Sequence, residues 1–446
     1  MSYVPHTEAE RREMLSRIGS PSVRALFEAV PGAHRFPEVT LPAPLSEPEL
    51  LAEMHALGAR NLDLSTVPSF LGAGAYRHFV PSVVRHITSR SEFYTAYTPY
   101  QPEISQGTLQ TIFEYQTMIC RLTGMEVSNA SHYDGATAMA EAAIMAVGVA
   151  RGRRRQVLLS PDIHPEHRQV VCTYTQAMEL DIVGDETPGA SLQSLIERVG
   201  PETACLIVQT PDFYGRISDL RGVAKEVHAR GALLVVSTDP ISLGILRPPG
   251  DFGADIVLGE GQPLGIGLQF GGPYLGFFAC RKAHVRRMAG RLAGETVDAD
   301  GKRGYVLTLS TREQHIRRER ATSNICTNQG LNVLAAAVYL SALGKCGLSQ
   351  VAQLCYHRAH YAAQAIAALP GYTVDDAQPF FKEFVVRCPS PTREINRRLL
   401  DEHGILGGFN LVTVDPAREN EMLVCVTEMN PVSQIDGLVQ ALAEVS

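Results

Sequence analysis

Several residue types and patterns that mark particular protein classes are scarce in this chain of 446 residues. Tryptophan is absent, and only five of the 40 basic residues are lysines, at positions 225, 282, 302, 345 and 382. The nine cysteines form no CxxC pair, and their odd number argues against a disulfide framework. No segment approaches the ~18 apolar residues of a membrane helix, and the N-terminus lacks an apolar signal core. We therefore expect a cytoplasmic protein that does not associate with membranes.

Neither positive nor negative charge is in large excess. The chain has 40 basic and 47 acidic residues and a net charge of −7, which gives no reason to expect nucleic-acid binding. No His/Cys spacing typical of a metal centre is present, so we expect no metal. The length favours two or three domains with a substantial core.

The middle of the chain alternates short apolar runs with amphipathic helical patterns. The runs QVLLS, ACLIVQTP, ALLVVSTD and ADIVL lie between residues 156 and 258. This alternation predicts a largely parallel sheet covered by helices, with ligands at the carboxyl ends of the strands. After residue 331, an Ala-rich helical pattern is followed by the strand-like runs FKEFVVRC, GILGGFN and MLVCVTE. We predict an N-terminal arm with short helices (1–68), a large α/β domain (69–330) and a smaller C-terminal α+β domain (331–446).

One glycine-rich segment resembles a cofactor site from which the reactive residue is missing. Residues 253–273, GADIVLGEGQPLGIGLQFGGP, resemble the strand end and loop that carry the cofactor lysine in pyridoxal-phosphate (PLP) enzymes of the aspartate-aminotransferase type. Such enzymes need a lysine that forms an imine with the cofactor. Gln262 stands about where that lysine is expected, and a carboxamide cannot form an imine. The segment therefore predicts a PLP-type chain without its own covalently bound cofactor.

Other predicted strand ends and turns carry residues suited to cofactor binding. Asp239 follows the apolar run LLVVSTD, where an aspartate would pair with the ring nitrogen of PLP; alternatively it caps the turn before Pro240. Gly135 and Thr137 open a helix whose N-terminal amides would attract a phosphate, although such residues are also ordinary helix caps. His164, in SPDIHPEHR, would stack on a planar ring or act as an acid/base, or else be a surface hydrogen-bonding group.

A tyrosine-rich segment is the third unusual feature. Residues 92–108, EFYTAYTPYQPEISQGT, include Tyr94, Tyr97 and Tyr100 at intervals of three, followed by Glu103 and Gln106. Because Pro99 and Pro102 disfavour a regular helix, we expect a stiff loop that presents polar groups. One interpretation is a packed aromatic loop at a subunit contact, and the other is a polar active-site wall. Both hold if the active site lies at an interface. Below, residues 92–106 are called the tyrosine segment.

Four long motifs carry a family resemblance. They are SFLGAGAYRHFVP (69–81), EFYTAYTPYQPEISQGTLQTIFEYQTMICRLTGM (92–125), NASHYDGATAMAEA (129–142) and TREQHIRRERATSNICTNQ (311–329). They closely resemble the first subunit of the two-subunit glycine dehydrogenases (decarboxylating), which are P-proteins of the glycine cleavage system. The resemblance covers most of the chain and implies PLP fold type I, with an aspartate-aminotransferase-type large domain and a smaller C-terminal domain.

The resemblance also implies an activity and partners. In this family, glycine loses its carboxyl carbon as CO2 on PLP, and its aminomethyl group passes to the lipoyl arm of H-protein. In the split form, subunit 2 carries the PLP lysine, so this chain would be half of an α2β2 enzyme, inactive alone, with the T- and L-proteins as functional partners. Tyr94, Tyr97, Tyr100, Glu103 and Gln106 are then the candidate pocket-lining residues. Asp239, Gly135, Thr137 and His164 would be vestiges of a cofactor site.

Two alternatives stay open on the sequence. The chain could be a structural scaffold for its partner, or a self-sufficient PLP enzyme that uses another lysine. Lys282 is the lysine nearest to the glycine-rich loop, but it follows the strand-like run GFFACR, beyond the expected position.

Overall fold

The computed structural model describes residues 6–184, 189–375 and 377–445. Contacts divide the chain into two units, Met1–Asp63 and Leu64–Ser446. In the first unit, α1 (Glu8–Ile18) and α2 (Glu47–Gly58) both begin with a capping box, in which Thr7 and Ser46 pair with the glutamate three residues later. This unit contains short helices, and the predicted N-terminal arm of residues 1–68 stays a prediction.

A seven-stranded sheet forms the centre of the second unit. Its strands are β1 (Val127–Ser128), β2 (Gln156–Leu159), β3 (Asp181–Val183), β4 (Thr203–Gln209), β5 (Leu233–Ser237), β6 (Ile256–Glu260) and β7 (Gly276–Cys280). Their order is β1-β7-β6-β5-β4-β2-β3. The pairings among β2 to β6 are parallel, whereas β7 runs antiparallel to both β6 and β1. The predicted largely parallel sheet is confirmed.

Helices cover this sheet because its strands are apolar on both faces. All residues of β7, and all but the last of β4, are buried, as expected for strands between two helical layers. The helices before and between the strands are α3 (Ser82–Thr88), α4 (Ser91–Tyr94), α5 (Gln106–Thr123), α6 (Gly135–Val149), α7 (Pro165–Thr175), α8 (Leu192–Glu197) and α9 (Val223–Ala229). A hairpin of β8 (Leu292–Val297) and β9 (Arg303–Thr308) contacts α5, and the short helix α10 (Gln314–Arg317) follows it.

The C-terminal part contains a second, antiparallel sheet. Its strands, in the order β10-β11-β13-β12, are β10 (Thr373–Val374), β11 (Glu383–Arg387), β13 (Glu421–Cys425) and β12 (Phe409–Asn410). The helices α12 (Thr392–His403) and α13 (Val432–Val445) share its apolar core. This is the predicted α+β arrangement, while the predicted domain boundary at 330/331 stays a prediction.

The helix α11 (Gly330–Ala367) precedes this sheet. By length and composition alone it could cross a membrane, so the expectation that no segment approaches such a helix is wrong in that respect. Val333, Ala336 and Tyr339 on its first half are buried in the core that underlies the large sheet. Gly344 interrupts its helical geometry with a positive φ of 59°. We interpret α11 as a core helix.

Candidate functional site

A small cavity lies where the central strands β4, β5 and β6 end. Its walls include Tyr76, His164, Asp239, Glu260 and Lys382, and its volume is about 40 Å³. Carboxyl ends of parallel strands are the usual ligand sites of such sheets, which is why polar residues gather there. Pockets for organic ligands usually hold roughly 300–1,000 Å³. The predicted residues Asp239 and His164 therefore border a cavity that side chains leave too small for such a ligand, and their origin in a cofactor site stays a prediction.

Asp239 lies in this cavity and is paired within the chain. Its Oδ2 is 2.5 Å from the ammonium of Lys382, whose side chain is 2% exposed. Its Oδ1 accepts a hydrogen bond from the backbone N–H of Ile241 at 2.8 Å, so it also caps the turn at Pro240. Burial is the largest single effect and works to lower the pKa of Lys382, but the surrounding groups together, chief among them the carboxylate of Asp239, outweigh it, and the net direction is upward. Lys382 is therefore a cation. The structure shows Asp239 as the cap of the turn, whereas a pairing of Asp239 with the ring nitrogen of PLP stays a prediction.

The ion pair continues into a chain of buried polar contacts. Lys382 Nζ lies 3.1 Å from His78 Nε2 and 3.4 Å from the centre of the Tyr76 ring. His78 Nδ1 contacts Glu428 Oε2 at 2.7 Å, so the ring lies between the ammonium of Lys382 and the carboxylate of Glu428. Burial works to raise the pKa of Glu428, but the contact with His78 and backbone donors lower it to about 2.

The same chain of contacts includes a group with metal-ligand chemistry. Atoms of His78, Cys355 and Glu428 lie within 4.8 Å of one another. The ammonium of Lys382 beside His78 opposes a further cation there. We interpret the group as part of the hydrogen-bonded chain, and the absence of a metal stays a prediction.

Glu383, next to Lys382 on β11, joins the cavity to the segment 69–79. Its carboxylate accepts hydrogen bonds from the N–H of Ala73 and the hydroxyl of Tyr76, each at 2.7 Å. Burial raises the pKa of Glu383 to about 7, although these two donors work in the opposite direction. Gly74 allows the close approach of this segment, because it has a φ of 101° and a Cβ there would lie 2.8 Å from His164 Nε2.

The predicted phosphate position, the N-terminus of α6, is occupied by a carboxylate. Glu260, the last residue of β6, accepts the N–H of Gly135 on Oε2 at 2.9 Å. Its Oε1 accepts the N–H groups of Gln262 at 2.8 Å and Leu275 at 3.1 Å. Burial raises the pKa of Glu260 to about 7, against the effect of these three donors. Thr137 offers its N–H to Asp134 Oδ1 at 2.7 Å, so both predicted phosphate contacts act as cap contacts.

Gln262, at the predicted lysine position, is a buried clamp on the segment 69–79. Its Oε1 accepts the N–H of Tyr76, and its Nε2 donates to the carbonyl oxygens of Tyr76 and Ile266, all within 2.9 Å. The side chain is 1% exposed. Every polar atom of the carboxamide thus has a partner in this chain.

His164 borders the cavity but is also the N-cap of α7. Its Nδ1 accepts the N–H of Glu166 at 3.2 Å, and its Nε2–H donates to the carbonyl of Ala73 at 2.9 Å. Its ring stacks on His167 at 4.7 Å. Burial lowers the pKa of His164, which keeps the ring neutral. Its role as a surface group is excluded, and any contact with a planar ligand stays a prediction.

The structure does not bring the tyrosine segment to this cavity. Tyr94 and Tyr97 line a separate cavity of about 100 Å³ between α5 and the start of α11. Tyr97 is 78% exposed and Tyr94 68%. Tyr100 is held more firmly, since its hydroxyl accepts a hydrogen bond from the buried Arg291 at 2.8 Å.

The last two residues predicted in this segment differ from each other. Glu103 is exposed. Gln106 is bound by its amide to both the N–H and the carbonyl of Tyr305, each at 2.9 Å, so it fastens α5 to β9. A structural role for Gln106 follows directly from these contacts, whereas any pocket-lining role of either residue stays a prediction.

Sequence reasoning missed Lys382, Glu260, Glu383 and His78. One signal was available for the first three, because each is a charged residue placed in or at the end of an apolar strand-like run: FFKEFVVRC for Lys382 and Glu383, and ADIVLGEG for Glu260. Charged residues are rarely fully buried unless they are paired. No comparable signal marked His78, whose partner Glu428 lies 350 positions away.

Comparison with known proteins agrees with the motifs. The family model "Glycine cleavage system P-protein" matches residues 1–442. Two bacterial relatives named "Probable glycine dehydrogenase (decarboxylating) subunit 1" cover the whole chain and are covered by it completely. The relative from Thermomicrobium roseum is 54% identical, and the one from Desulforamulus reducens is 51% identical.

Solved structures extend this similarity to the fold. A crystal structure of glycine decarboxylase (P-protein) of the glycine cleavage system, in inhibitor-bound form, is 44% identical, with a TM-score of 0.90 and complete coverage of both chains. An alanine–glyoxylate aminotransferase from Nostoc is 18% identical with a TM-score of 0.58, covering 86% of this chain and 97% of its own, which shows the fold alone. The predicted PLP fold type I is confirmed. Since the family model and these relatives span nearly the full length, the chain belongs to the glycine cleavage system P-protein family.

Proposed function

We propose that this chain is the subunit without the PLP lysine in a two-chain glycine decarboxylase, assembled as α2β2 with glycine dehydrogenase subunit 2 in the cytoplasm. The pair removes the carboxyl carbon of glycine as CO2 and passes the aminomethyl group to the lipoyl arm of H-protein, with the T- and L-proteins completing the system. One observation carries the proposal: relatives named subunit 1 match this chain over its full length. The proposal agrees with the prediction that Gln262, an amide without nucleophilic character, stands where the lysine is expected. The chain alone is expected to be inactive.

The tyrosine segment is the part of this chain that we propose reaches the shared active site. Tyr94, Tyr97 and Tyr100 are exposed although their rings are large and mostly apolar. Tyrosine is favoured where one end of a side chain is packed and the other meets a polar partner. Arg291 fixes the hydroxyl oxygen of Tyr100, leaving its proton free to be donated to an acceptor on a neighbouring chain.

The decarboxylation of glycine requires a protein segment that orients the substrate and excludes water. PLP on the partner supplies the electron sink for loss of CO2. The breaking bond must be held in a fixed orientation, and water must be kept from the carbanion. Hydroxyls of Tyr97 and Tyr100 would orient the glycine carboxylate, and the rings beside them would exclude water.

Reconstitution with the partner tests the assignment. Co-expression with subunit 2 should give a complex that copurifies and exchanges labelled bicarbonate into glycine when H-protein is present, while either subunit alone should not. Exchange by this chain alone, with PLP linked to one of its own lysines such as Lys282, would favour the self-sufficient enzyme instead. A complex as active without this chain would contradict the proposal.

A conservative substitution tests the tyrosine segment. Tyr97→Phe removes a hydroxyl that is 3.4 Å from Thr327 Oγ1, with the ring retained. We expect roughly a 10- to 100-fold loss of exchange activity in the assembled complex, equivalent to one lost positioning contact. Tyr361→Phe is the matched control, since that tyrosine is 42% exposed and its hydroxyl donates to Asp436 on α13, in the C-terminal part of the chain. Full exchange activity in the Tyr97→Phe complex would favour the scaffold alternative.

A further inference from the structure

The strand-end cavity differs from a cofactor site in what fills it, rather than only in the loss of one lysine. A PLP site of this fold presents an anion-binding helix N-terminus to the phosphate and a carboxylate to the ring nitrogen. Both features are present here, as the first turn of α6 and Asp239. Each is already satisfied by a charged side chain of the same polypeptide.

At the helix end the substitute is a carboxylate. Glu260 receives three backbone N–H groups, from Gly135, Gln262 and Leu275. Converging backbone donors of this kind form a nest for an anion, and a bound phosphate would use the same donors. Space is closed as well, since a Cβ on Gly135 would lie 2.8 Å from the backbone nitrogen of Glu260, so the start of α6 packs directly on the end of β6.

At Asp239 the substitute is an ammonium. The ammonium of Lys382 lies 2.5 Å from the carboxylate and 3.4 Å from the centre of the Tyr76 ring. In a PLP site, the same carboxylate would compensate the charge of the protonated ring nitrogen. Only about 40 Å³ is left between these groups. The chain therefore contains the positive and the negative charge that a phosphorylated pyridine ring would bring.

We infer that Glu260 and Lys382 are internal substitutes for the phosphate and the ring nitrogen of PLP, and that they close this subunit's own cavity to PLP in any binding mode. Neither substitute involves the partner, so the closure can be tested without glycine turnover.

Binding of pyridoxamine 5′-phosphate to the full chain is the first measurement. This compound has the ring nitrogen and the phosphate but no aldehyde, so surface lysines cannot form imines with it. The wild-type chain should show no saturable fluorescence change up to about 1 mM and no rise in Tm, because a ligand that binds the folded state raises Tm. Saturable binding to the wild type, or a pyridoxyl adduct mapped to Lys382 after PLP and borohydride treatment, would overturn the inference.

Opening the cavity is the second measurement. Glu260→Ala combined with Lys382→Ala should bind pyridoxamine 5′-phosphate at least 10-fold more tightly than the wild type. Glu141→Ala is the matched control, because Glu141 is a buried carboxylate within α6 that accepts a hydrogen bond from the hydroxyl of Ser323 instead of binding the helix N-terminus. A folded double variant that binds no more tightly than this control would contradict the proposed roles.

Anion rescue addresses Glu260 alone. The Glu260→Ala chain should be stabilised by acetate, with a Tm rise of several degrees that the wild type and Glu141→Ala do not show. An equal response in all three would overturn the role of Glu260 as an internal anion. If the Glu260 variants do not fold, even with acetate, the wild-type binding result decides the inference on its own.

Discussion

The strand-end cavity and the tyrosine segment are both polar, and the sequence marks both as candidate sites, yet they are built in opposite ways. In the cavity, Asp239, Glu260 and Gln262 each have partners within the chain. In the tyrosine segment, Tyr94 and Tyr97 direct most of their surface to solvent. The difference teaches that a candidate partner site is recognised by side chains whose surface and hydrogen-bonding groups are not already used within the chain. The contacts of the cavity stabilise the fold, whereas the exposed tyrosines have surface available for the contacts that we propose.

The largest expected effect on stability comes from a substitution that breaks the ion pair in the cavity. Lys382→Met leaves Asp239 without its cation in a nearly buried place, so the free energy of unfolding should fall by about 3–5 kcal/mol. Urea unfolding of the full chain measures this. Lys302→Met is the control, because Lys302 and Asp300 are more than three-quarters exposed and 3.9 Å apart, and it should cost less than about 1 kcal/mol. A Lys382→Met chain as stable as that control would show that the cavity does not depend on its internal charges.

Two glutamines sharpen the comparison, since each binds backbone groups of a distant segment. Gln262→Ala removes three buried hydrogen bonds and leaves both backbone groups of Tyr76 unpaired, which should cost about 2–3 kcal/mol. Gln106→Ala also removes two bonds to a distant residue, Tyr305, but at an exposed position where water can replace them. Its cost should be about 1 kcal/mol or less in the same urea experiment. Equal losses would mean that burial does not distinguish the two regions.

A pH experiment tests whether the cavity buries an ionisable carboxyl. Burial raises the pKa of Glu383 to about 7 from 4.5. A carboxyl with a higher pKa in the folded chain takes up protons on folding, so its stabilising contribution is complete below about pH 4.5 and is lost as the pH rises through about 7. Glu383→Gln imitates the protonated form, and between pH 5 and pH 8 its stability should improve relative to the wild type by about 2 kcal/mol.

The control for this experiment comes from the other region. Glu103→Gln changes an exposed carboxyl in the tyrosine segment, and its stability relative to the wild type should be the same at pH 5 and pH 8. The measurement is urea unfolding of the three chains at both pH values. If the difference in stability between Glu383→Gln and the wild type is the same at pH 5 and pH 8, the carboxyl is solvated in the folded protein, contrary to its contacts with Ala73 and Tyr76.

Sequence reasoning located the fold and the absent lysine because both depend on local patterns. Apolar runs of strand length predicted the parallel sheet, and the glycine-rich loop placed Gln262 at the end of β6. What the pattern could not supply were the partners of the polar groups. Lys382 meets Asp239 across 143 positions, and Tyr76 meets Gln262 across 186. Such pairs arise only when the segment 69–79 and β11 fold onto the strand ends, so the sequence could name candidate cofactor residues but not the partners that these residues have in the folded chain.

The smallest expected change in stability separates binding from folding in the tyrosine segment. Tyr100→Phe removes one acceptor from Arg291, which keeps its ion pair with Glu313 at 3.3 Å, so the free energy of unfolding should fall by about 1 kcal/mol or less. In the assembled complex the same change should reduce bicarbonate exchange about 10-fold, because the hydroxyl that Arg291 orients is lost to the shared site. A small loss of unfolding free energy together with a large loss of exchange activity is therefore expected only if Tyr100 contributes to the shared active site. If exchange is unchanged while assembly weakens, Tyr100 belongs to a subunit contact, and the polar wall of the active site must come from elsewhere.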